Sequence, residues 1–448
     1  MPDFNNVKKV HFIGLGGIGV SAIAHLMLAQ NKVVSGSDVA VSEITEELAE
    51  RGVKFFNSHQ AANLAEDVDL VIYSPAVPED NPERARAKEL NIRQLSYPEF
   101  LGELSQDKYT IAVSGTDGKS TTTAMLGLIL ERANLDPTVI VGSKVKSFPD
   151  DNLRVGQSQY LVVEACEYKA AMLNIKPKII LLTNLRPEHL DYYGDFENLK
   201  KTFQQYVDQL PAAGILIVNA DDGGVNDLIT DKKRITYGFK AGDLRAVDYE
   251  IKNQTQLFKV NWQGNALGEF KLIIPGQFNV YNALGAIAVA LELGIKPDII
   301  KETLAEFPGI WRRFEKVGEN VISDYGHTPV AVQATIKAAK EFYPDKRLVV
   351  AFMPHHHNRT KKFFNEFVES FDLADLIIIN EIFDVAGREA IQDQDVSARD
   401  LVEAIKKRGK EVIYSSNLTE TEKLVSENKK ENDLVVFMGA GDIYKIAH

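Results

Sequence analysis

Short runs of apolar residues recur along the whole chain and alternate with longer segments whose apolar residues have helical spacing. Strands that alternate with helices imply parallel sheets, so the pattern predicts the α/β fold class. Strands are predicted at residues 7–13, 32–36, 70–73, 109–113, 160–164, 179–183, 215–219, 321–324, 347–352, 376–379 and 434–438. Helices are predicted at residues 20–28, 124–130 and 283–293.

The α/β pattern divides into three consecutive segments. A chain of 448 residues is long enough for about two to four domains. The polar stretch 105–108 is interpreted as a linker, a more polar insert runs over 234–274, and Pro308-Gly309 breaks the chain. We therefore predict domains at residues 1–107, 108–309 and 310–448.

Composition narrows the class of protein. The net charge of −12 argues against a general nucleic-acid binder. No apolar run approaches the roughly 20 residues of a membrane-spanning helix, and the polar N-terminus is not a signal peptide. The lone Cys166 excludes an internal disulfide framework and suits a reducing compartment. We expect a cytoplasmic protein without nucleic-acid partners or membrane insertion.

A glycine-rich turn joins the strand predicted at 109–113 to the following helix. Such a turn directs backbone N–H groups and the positive end of the helix dipole at one point. Lys119 adds a mobile positive charge, and the Ser120 hydroxyl can bind Mg²⁺. A structural turn alone would not explain a lysine followed by four hydroxyl residues. The turn predicts a nucleoside triphosphate site, whose candidate residues are Gly115, Thr116, Asp117, Gly118, Lys119, Ser120 and Thr121.

A second glycine loop follows the first predicted strand. Its glycines allow a diphosphate to approach the backbone, and Asp38, after the next strand, is placed to meet a ribose hydroxyl. Read alone, the loop predicts a nicotinamide-dependent oxidoreductase, but a UDP-sugar also carries a diphosphate and a ribose. The candidate residues of this loop are Gly14, Gly16, Gly17, Ile18 and Gly19.

The form Gly-Thr-x-Gly-Lys-[Ser/Thr]-[Ser/Thr]-Thr resembles the loop of the Mur ligases and of the related folylpolyglutamate synthetases. Segments 36–38, 74–83 and 439–443 also resemble Mur ligase signatures, so the likeness covers essentially the whole chain. It implies a Rossmann-like N-terminal domain, a central P-loop ATPase-type domain and a Rossmann-like C-terminal domain. It adds Ser37 and Ser74 to the UDP-sugar site.

The resemblance also implies a reaction. The alanine-adding members of the family join L-alanine to the lactyl carboxylate of UDP-N-acetylmuramate, with ATP and an acyl phosphate. Two Mg²⁺ ions are implied, held by Ser120, Glu164 and His189. Glu164 lies at the carboxyl end of a predicted strand, where ligands of α/β sheets gather. Glu167 is interpreted as a weaker candidate or a solvated charge, and Cys166 as a packed small residue.

Further nucleotide contacts are expected near two breaks in the apolar pattern. Asn279 and Asn282 lie on one face of a helix start, where amides can read the adenine edge; capping by Asn279 is the alternative. Phe278 stands where the family usually has His. Arg313, after Pro308-Gly309, is expected to clamp the transferring phosphoryl group. The resemblance places Asp324 near the ribose.

The resemblance assigns the amino-acid substrate to the last segment. Its site residues are Tyr325, His355 and Arg359, with Arg359 binding the carboxylate as a bidentate pair. His355, His356 and His357 are consecutive, and neighbouring residues of an extended chain point to opposite faces, so they are not expected to share one ion. His356 stands where the family often has Arg, and segment 385–389 keeps a further signature in part.

Three alternatives remain open from the sequence. The tripeptide-adding ligase of murein recycling shares the UDP-N-acetylmuramate site and differs in the third segment. The nicotinamide-dependent oxidoreductase rests on the first loop. A catalytically inactive UDP-sugar-binding protein is suggested by two departures: Asp117 stands where alanine-adding enzymes usually have His, and His356 where the family often has Arg.

Overall fold

The computed structural model describes residues 4, 6–384 and 395–447, so segment 385–389 lies outside the described residues. The chain divides into two compact units. The first comprises Met1–Val247, Lys259–Phe270 and Tyr281–Ala305, and the second comprises Asp248–Phe258, Lys271–Val280 and Glu306–His448. The boundaries at 1–107, 108–309 and 310–448 stay predictions.

The first sheet is formed by β1 (Lys9–Ile13), β2 (Val33–Ser37), β3 (Lys54–Phe56), β4 (Leu70–Tyr73) and β5 (Arg93–Ser96). Its helices are α1 (Ile18–Ala29), α2 (Glu43–Glu50), α3 (Pro82–Glu89) and α4 (Tyr97–Gln106), with a 3-10 turn at Ala61–Asn63. The strands run parallel in the order β3-β2-β1-β4-β5. The chain leaves β1 toward β2 and returns on its other side to β4. The carboxyl end of β1 is therefore the switch point, where such sheets bind ligands.

The second sheet contains β6 (Tyr109–Ser114), β7 (Thr138–Ile140), β8 (Leu153–Arg154), β9 (Tyr160–Glu164), β10 (Ile179–Leu182), β11 (Ile215–Asn219), β12 (Lys233–Gly238), β13 (Leu244–Lys252), β14 (Thr255–Trp262) and β15 (Asn265–Leu272). Its helices are α5 (Lys119–Arg132), α6 (Leu190–Tyr193), α7 (Phe196–Asp208), α8 (Gly223–Asn226), α9 (Gln277–Glu292) and α10 (Pro297–Glu306), with a 3-10 segment at Tyr168–Asn174. The order is β15-β14-β13-β12-β11-β10-β6-β9-β7-β8. Because β6 is parallel to both β9 and β10, the ends of these three strands meet at one edge.

The third sheet contains β16 (Glu315–Gly318), β17 (Val321–Asp324), β18 (Leu348–Phe352), β19 (Leu376–Asn380), β20 (Val412–Ser415) and β21 (Leu434–Met438). Its helices are α11 (Pro329–Phe342), α12 (His357–Lys362), α13 (Phe364–Ser370), α14 (Ala398–Lys407) and α15 (Leu418–Asn428), with a 3-10 turn at Asp442–Ile446. The order is β16-β17-β21-β18-β19-β20, and β16 is antiparallel to β17 while the other pairs are parallel.

Helices cover both faces of the parallel sheets. As a result, every residue of β11, β18, β19 and β21 is buried, and these strands read as continuous apolar runs rather than alternating ones. Each fully buried Leu, Ile or Val side chain contributes about 1.5–3 kcal/mol. The predicted α/β class is confirmed, and the strands predicted at 70–73, 160–164, 215–219, 321–324 and 434–438 have the observed bounds.

Two predicted elements have other bounds in the structure. The connection predicted at 105–108 is shorter, because α4 continues to Gln106 and the buried Ser105 hydroxyl donates to the Gly102 carbonyl at 2.6 Å. The helix predicted at 283–293 begins earlier, at Gln277. None of the helices in the described residues combines the length and apolar character needed to cross a membrane.

Candidate active site

The turn between β6 and α5 has a backbone that glycine alone adopts without strain. Gly115 has φ 128° and Gly118 has φ 83°, both in the left-handed region. A Cβ atom at Gly115 would lie 2.3 Å from Thr183 Oγ1, and one at Gly118 would lie 2.2 Å from Asn282 Oδ1. The two glycines therefore let the turn lie against the end of β10 and the start of α9.

Residues that follow β10 hold this turn in place. Asn184 accepts two hydrogen bonds from the turn: Thr116 N donates to its backbone carbonyl at 3.0 Å, and Asp117 N donates to its side-chain oxygen at 3.0 Å. Its amide nitrogen donates to the Asp117 carbonyl at 3.0 Å, as the Thr183 hydroxyl does at 2.6 Å. The turn is thus preorganised around the N-terminus of α5, an arrangement suited to phosphate.

Lys119 opens α5 and makes an ion pair inside this edge of the sheet. Its ammonium donates to the carbonyls of Gly115 at 2.7 Å and Thr116 at 3.0 Å. It also lies 2.9 Å from Glu167 Oε2 and 3.2 Å from Oε1. The side chains of Lys119 and Glu167 are 12% and 3% exposed. The interpretation of Glu167 as a solvated charge is therefore wrong, because the segment that follows β9 buries its side chain against Lys119.

The pair keeps both groups charged. Burial alone would raise the pKa of Glu167, but Lys119 and then His189 lower it below its usual range. Burial likewise acts to lower the pKa of Lys119, and the nearby carboxylates, Glu167 first, outweigh it and raise the pKa. Cys166 is exposed rather than packed, yet desolvation and then Glu167 raise the pKa of its thiol to about 11, which disfavours a nucleophilic thiolate.

The predicted metal residues lie around the same edge. Glu164, at the end of β9, accepts a hydrogen bond from Gly142 N at 2.8 Å, and the buried Ser120 is the second residue of α5. His189 has left-handed φ of 54°, and its Nε2 lies 3.5 Å from Glu167 Oε1. Hydroxyl and carboxylate oxygens suit Mg²⁺, so these donors fit the ion. Within the described residues no group of three or more His, Cys, Asp or Glu is arranged as a cage, so phosphates and water would complete its coordination.

The first glycine loop lies at the switch point of the first sheet. Asp38 Oδ2 accepts a hydrogen bond from Gly16 N at 2.8 Å. A Cβ atom at Gly14 would lie 2.9 Å from Ser74 Cβ, and one at Gly19 would lie 2.7 Å from the Tyr97 ring. The structure therefore brings together the predicted UDP-sugar residues Gly14, Gly16, Gly17, Ile18, Gly19, Ser37, Asp38 and Ser74.

Glu83, in the first turn of α3, holds the side chain of Ser37 beside this loop and was not among the predicted site residues. It is buried and accepts hydrogen bonds from the Ser37 hydroxyl and from the Asn63 amide at 2.6 Å, and its Oε2 lies 3.3 Å from His11 Nε2. Burial acts to raise the pKa of Glu83, but His11 and the hydrogen-bond donors lower it, so the carboxylate stays ionised. The Ser37 side chain is thus occupied within the protein. The sequence signal for Glu83 was its position directly after Asn81-Pro82, at a helix start.

In the second unit, Asp324 organises the loop that carries Arg313. Its carboxylate accepts from Phe314 N and Gly326 N, each at 2.8 Å, and from the Thr335 hydroxyl at 3.0 Å. Arg313 lies over the Tyr325 ring, 4.8 Å from its centroid. The Asp324 carboxylate therefore fixes the conformation of this loop, a role separate from the predicted contact with the ribose.

The neighbouring Arg312 has a different role. It is 4% exposed and donates to the carbonyls of Gly439 and, at 2.8 Å, Gly441. The guanidinium also lies over the rings of Tyr325 and Tyr444. Arg312 therefore ties the segment after β21 to this loop.

The consecutive histidines after β18 divide between two neighbours. His356 Nδ1 lies 3.3 Å from Asp384 Oδ1, and His357 Nδ1 contacts Oδ2 of the same carboxylate. His355 instead lies 3.4 Å from Arg359 Nη1 through its Nδ1. His356 and His357 therefore share one carboxylate, whereas His355 faces Arg359.

His327 lies beside the predicted amino-acid residues. Its ring centroid is 6.0 Å from that of His355, and its Nδ1 lies 3.0 Å from the Tyr325 carbonyl. Desolvation, reinforced by Arg359, holds the pKa of His327 well below its usual range. The imidazole is therefore neutral, with Nδ1–H donating to that carbonyl.

Asn279 and Asn282 are both buried in the first turns of α9. The amide of Asn279 donates to the Pro275 carbonyl at 2.7 Å, so it binds the segment before the helix. Asn282 lies against Gly118. The phosphate turn and the helix start are therefore adjacent through Asn282.

The fold and these loops define a modular α/β nucleotide-binding protein with a phosphate loop. Three domain families match it: the Mur ligase family catalytic domain at residues 9–109, the Mur ligase middle domain at 113–290, and the Mur ligase glutamate ligase domain at 312–441. The chain belongs to the Mur ligase family.

Its relatives match over nearly their whole length. The chain is 40% identical to the UDP-N-acetylmuramate–L-alanine ligase of Caldanaerobacter subterraneus subsp. tengcongensis, over 99% of this chain and 97% of that protein. For the enzyme of the same name from Sulfurihydrogenibium sp., the identity is 38%, over 98% and 96%.

Solved structures agree. The UDP-N-acetylmuramate-alanine ligase MurC from Thermotoga maritima superimposes with a TM-score of 0.85 at 31% identity, over 98% of this chain and 97% of that one. A murein peptide ligase from Psychrobacter arcticus has a TM-score of 0.70 at 24% identity, with coverage of 98% and 97%, and shares the fold.

Proposed function

We propose that this protein joins L-alanine to the lactyl carboxylate of UDP-N-acetylmuramate in an ATP-dependent step of peptidoglycan precursor synthesis. The observation that carries the proposal is the glycine turn with its buried Lys119–Glu167 pair, in a chain 40% identical over 99% of its length to an enzyme named for this reaction. We place the reaction in the cytoplasm, where ATP and sugar nucleotides are available.

Each ligand has its own loop in this proposal. The glycine loop at Gly14–Gly19 and Asp38 bind the diphosphate and ribose of UDP. The turn at Gly115–Thr121 binds the triphosphate of ATP, with Asn279 and Asn282 at the adenine and Asp324 near the ribose. Tyr325, His355 and Arg359 receive L-alanine, whose carboxylate pairs with the Arg359 guanidinium.

The residues of the chain act by positioning and by charge. Lys119 and Arg313 offset the negative charge that spreads over the γ-phosphoryl oxygens during transfer to the lactyl carboxylate. That transfer turns a poor leaving group into phosphate, and the amine of L-alanine then displaces it to form the amide. Mg²⁺, with two ions proposed at Ser120, Glu164 and His189, supplies positive charge to the phosphates and the carboxylate when it is bound.

A phosphate-release assay tests the proposal. The purified protein, with UDP-N-acetylmuramate, ATP and magnesium, is given L-alanine, glycine, L-serine or the recycling tripeptide as acceptor. We expect release with L-alanine in clear excess over the others. Release with the tripeptide alone would assign the murein-recycling reaction instead, and no release with any acceptor would contradict ligation. A fluorescence titration with NADH is expected to give no binding.

A further inference from the structure

The Lys119 ammonium uses its hydrogen-bonding capacity inside the protein. An ammonium has three N–H donors. Lys119 donates to the carbonyls of Gly115 and Thr116, at 2.7 and 3.0 Å, and to Glu167 Oε1 at 3.2 Å, which accounts for three hydrogen bonds. A phosphate oxygen that binds Lys119 must therefore replace one of these partners.

Glu167 is the partner that a phosphate would displace. The two carbonyls belong to the glycine turn, only three and four residues before Lys119, so they stay beside the ammonium if the turn moves. Glu167 belongs to the segment after β9, and its negative charge repels a phosphate that approaches the same ammonium. At the distances of this site, repulsion between like charges in a buried environment is worth more than the loss of one neutral hydrogen bond.

A second group is ready to receive the displaced carboxylate. His189 Nε2 lies 3.5 Å from Glu167 Oε1, and the Tyr168 ring packs on the imidazole with centroids 4.8 Å apart. The Tyr193 hydroxyl donates to the Glu167 carbonyl, which fixes the backbone from which the carboxylate swings. Glu167 thus lies between the lysine that meets the phosphate and the histidine proposed to hold metal.

We propose that Glu167 is a positioning residue for phosphoryl transfer: it occupies Lys119 until nucleotide enters, and then turns to His189 and orients its imidazole. The inference rests on the proposed function and deepens it. Glu164, by contrast, is held by Gly142 N on the other side of β9. The two glutamates of this segment therefore serve different neighbours.

The test compares Glu167→Gln with the wild-type protein in two assays. In the first, ATP binding is measured by calorimetry with EDTA and no divalent metal. We expect the variant to bind about tenfold more tightly, because a competing negative charge beside Lys119 is gone. In the second, kcat for phosphate release should fall about 10–100-fold, because His189 loses its orienting carboxylate. Glu197→Gln, an exposed glutamate of α7, is the matched control and should change neither value.

A merely structural role for Glu167 would weaken metal-free ATP binding along with turnover, and that result would overturn the inference. So would unchanged kcat. If Glu167→Gln fails to fold, ¹⁵N signals of lysine side chains in the wild-type protein decide: metal-free ATP should shift the Lys119 ammonium signal, and an unchanged signal contradicts displacement. The binding assays need no acceptor, so they stand even if no ligation activity is found.

Discussion

At the scale of single residues, Lys119 and Glu167 form a buried ion pair, and removing one partner leaves the other as an unpaired buried charge that lowers the stability of the fold. We expect Lys119→Ala to lower ATP-dependent phosphate release at least about 100-fold, because the phosphoryl group loses a preorganised positive charge. UDP-N-acetylmuramate binding, measured by calorimetry, should stay nearly unchanged. The variant should also lose about 3 kcal/mol of stability, because Glu167 is left buried without its partner.

The double variant Lys119→Ala/Glu167→Gln separates these two effects. Because the amide introduced by Glu167→Gln carries no charge, the double variant should regain most of the stability lost in Lys119→Ala, as measured by chemical denaturation. Its phosphate release should stay low. Substantial phosphate release by Lys119→Ala alone would remove the lysine from the phosphate site.

A second residue-scale prediction concerns His327 and pH. The ordinary pKa of histidine, 6.5, lies above that of the folded side chain, so the unfolded chain takes up the proton first as pH falls. Stability of the second unit should therefore decline below about pH 6.5, by at most roughly 1.4 kcal/mol per pH unit from this residue. Denaturation curves of wild type and His327→Gln between pH 5 and 7.5 should show a smaller slope for the variant. Equal slopes would mean that His327 protonates as easily in the folded protein.

These residues also mark how far a sequence can be taken. Lys119 and its glycines were recognisable because the residues of a phosphate-binding turn are neighbours in sequence, so their spacing along the chain identifies the site. Glu167 and Glu83 were not, because their burial depends on partners from other strands: Lys119 and His189 for one, Ser37 and Asn63 for the other. A charged side chain in a single sequence resembles a solvated one until its neighbours are known.

At the scale of elements, the turn between β6 and α5 depends on its backbone conformation. Gly118→Ala should impair ATP binding, because alanine at φ 83° costs about 1–2 kcal/mol and its Cβ would meet the Asn282 side chain. Gly223→Ala is the matched control, since a Cβ atom there meets nothing within 4 Å. Calorimetry with ATP and magnesium should give weaker binding for the first variant alone. Equal affinities would show that the turn tolerates a side chain.

The elements that the sequence predicted share one property. Central strands such as β11 and β21 are covered on both faces, so their apolar runs define them without any knowledge of the fold. Edge strands β3 (KFF) and β5 (RQLS) were missed, because they are short and partly polar and exist only by pairing with β2 and β4. The end of α4 was predicted to be part of the linker for a similar reason: its polar Ser105 is held by a tertiary hydrogen bond, which Lys176 N donates to the Ser105 hydroxyl.

At the scale of the whole molecule, the proposed function assigns each substrate to a different segment, and this division can be measured locally. A ligand at 100 times its Kd stabilises the conformation that binds it by about 2.7 kcal/mol, which slows amide exchange about 100-fold where local opening breaks the site. UDP-N-acetylmuramate should protect residues 14–24 and 37–40 in hydrogen-exchange mass spectrometry. A nonhydrolysable ATP analogue with magnesium should protect residues 115–124, and L-alanine added to both should protect residues 353–362. Peptides from α14, which carries none of the proposed contacts, are the internal control. Protection of residues 14–24 by the ATP analogue alone would exchange the roles of the two glycine loops, because each loop has the backbone N–H groups to bind a phosphate and only the ligand distinguishes them.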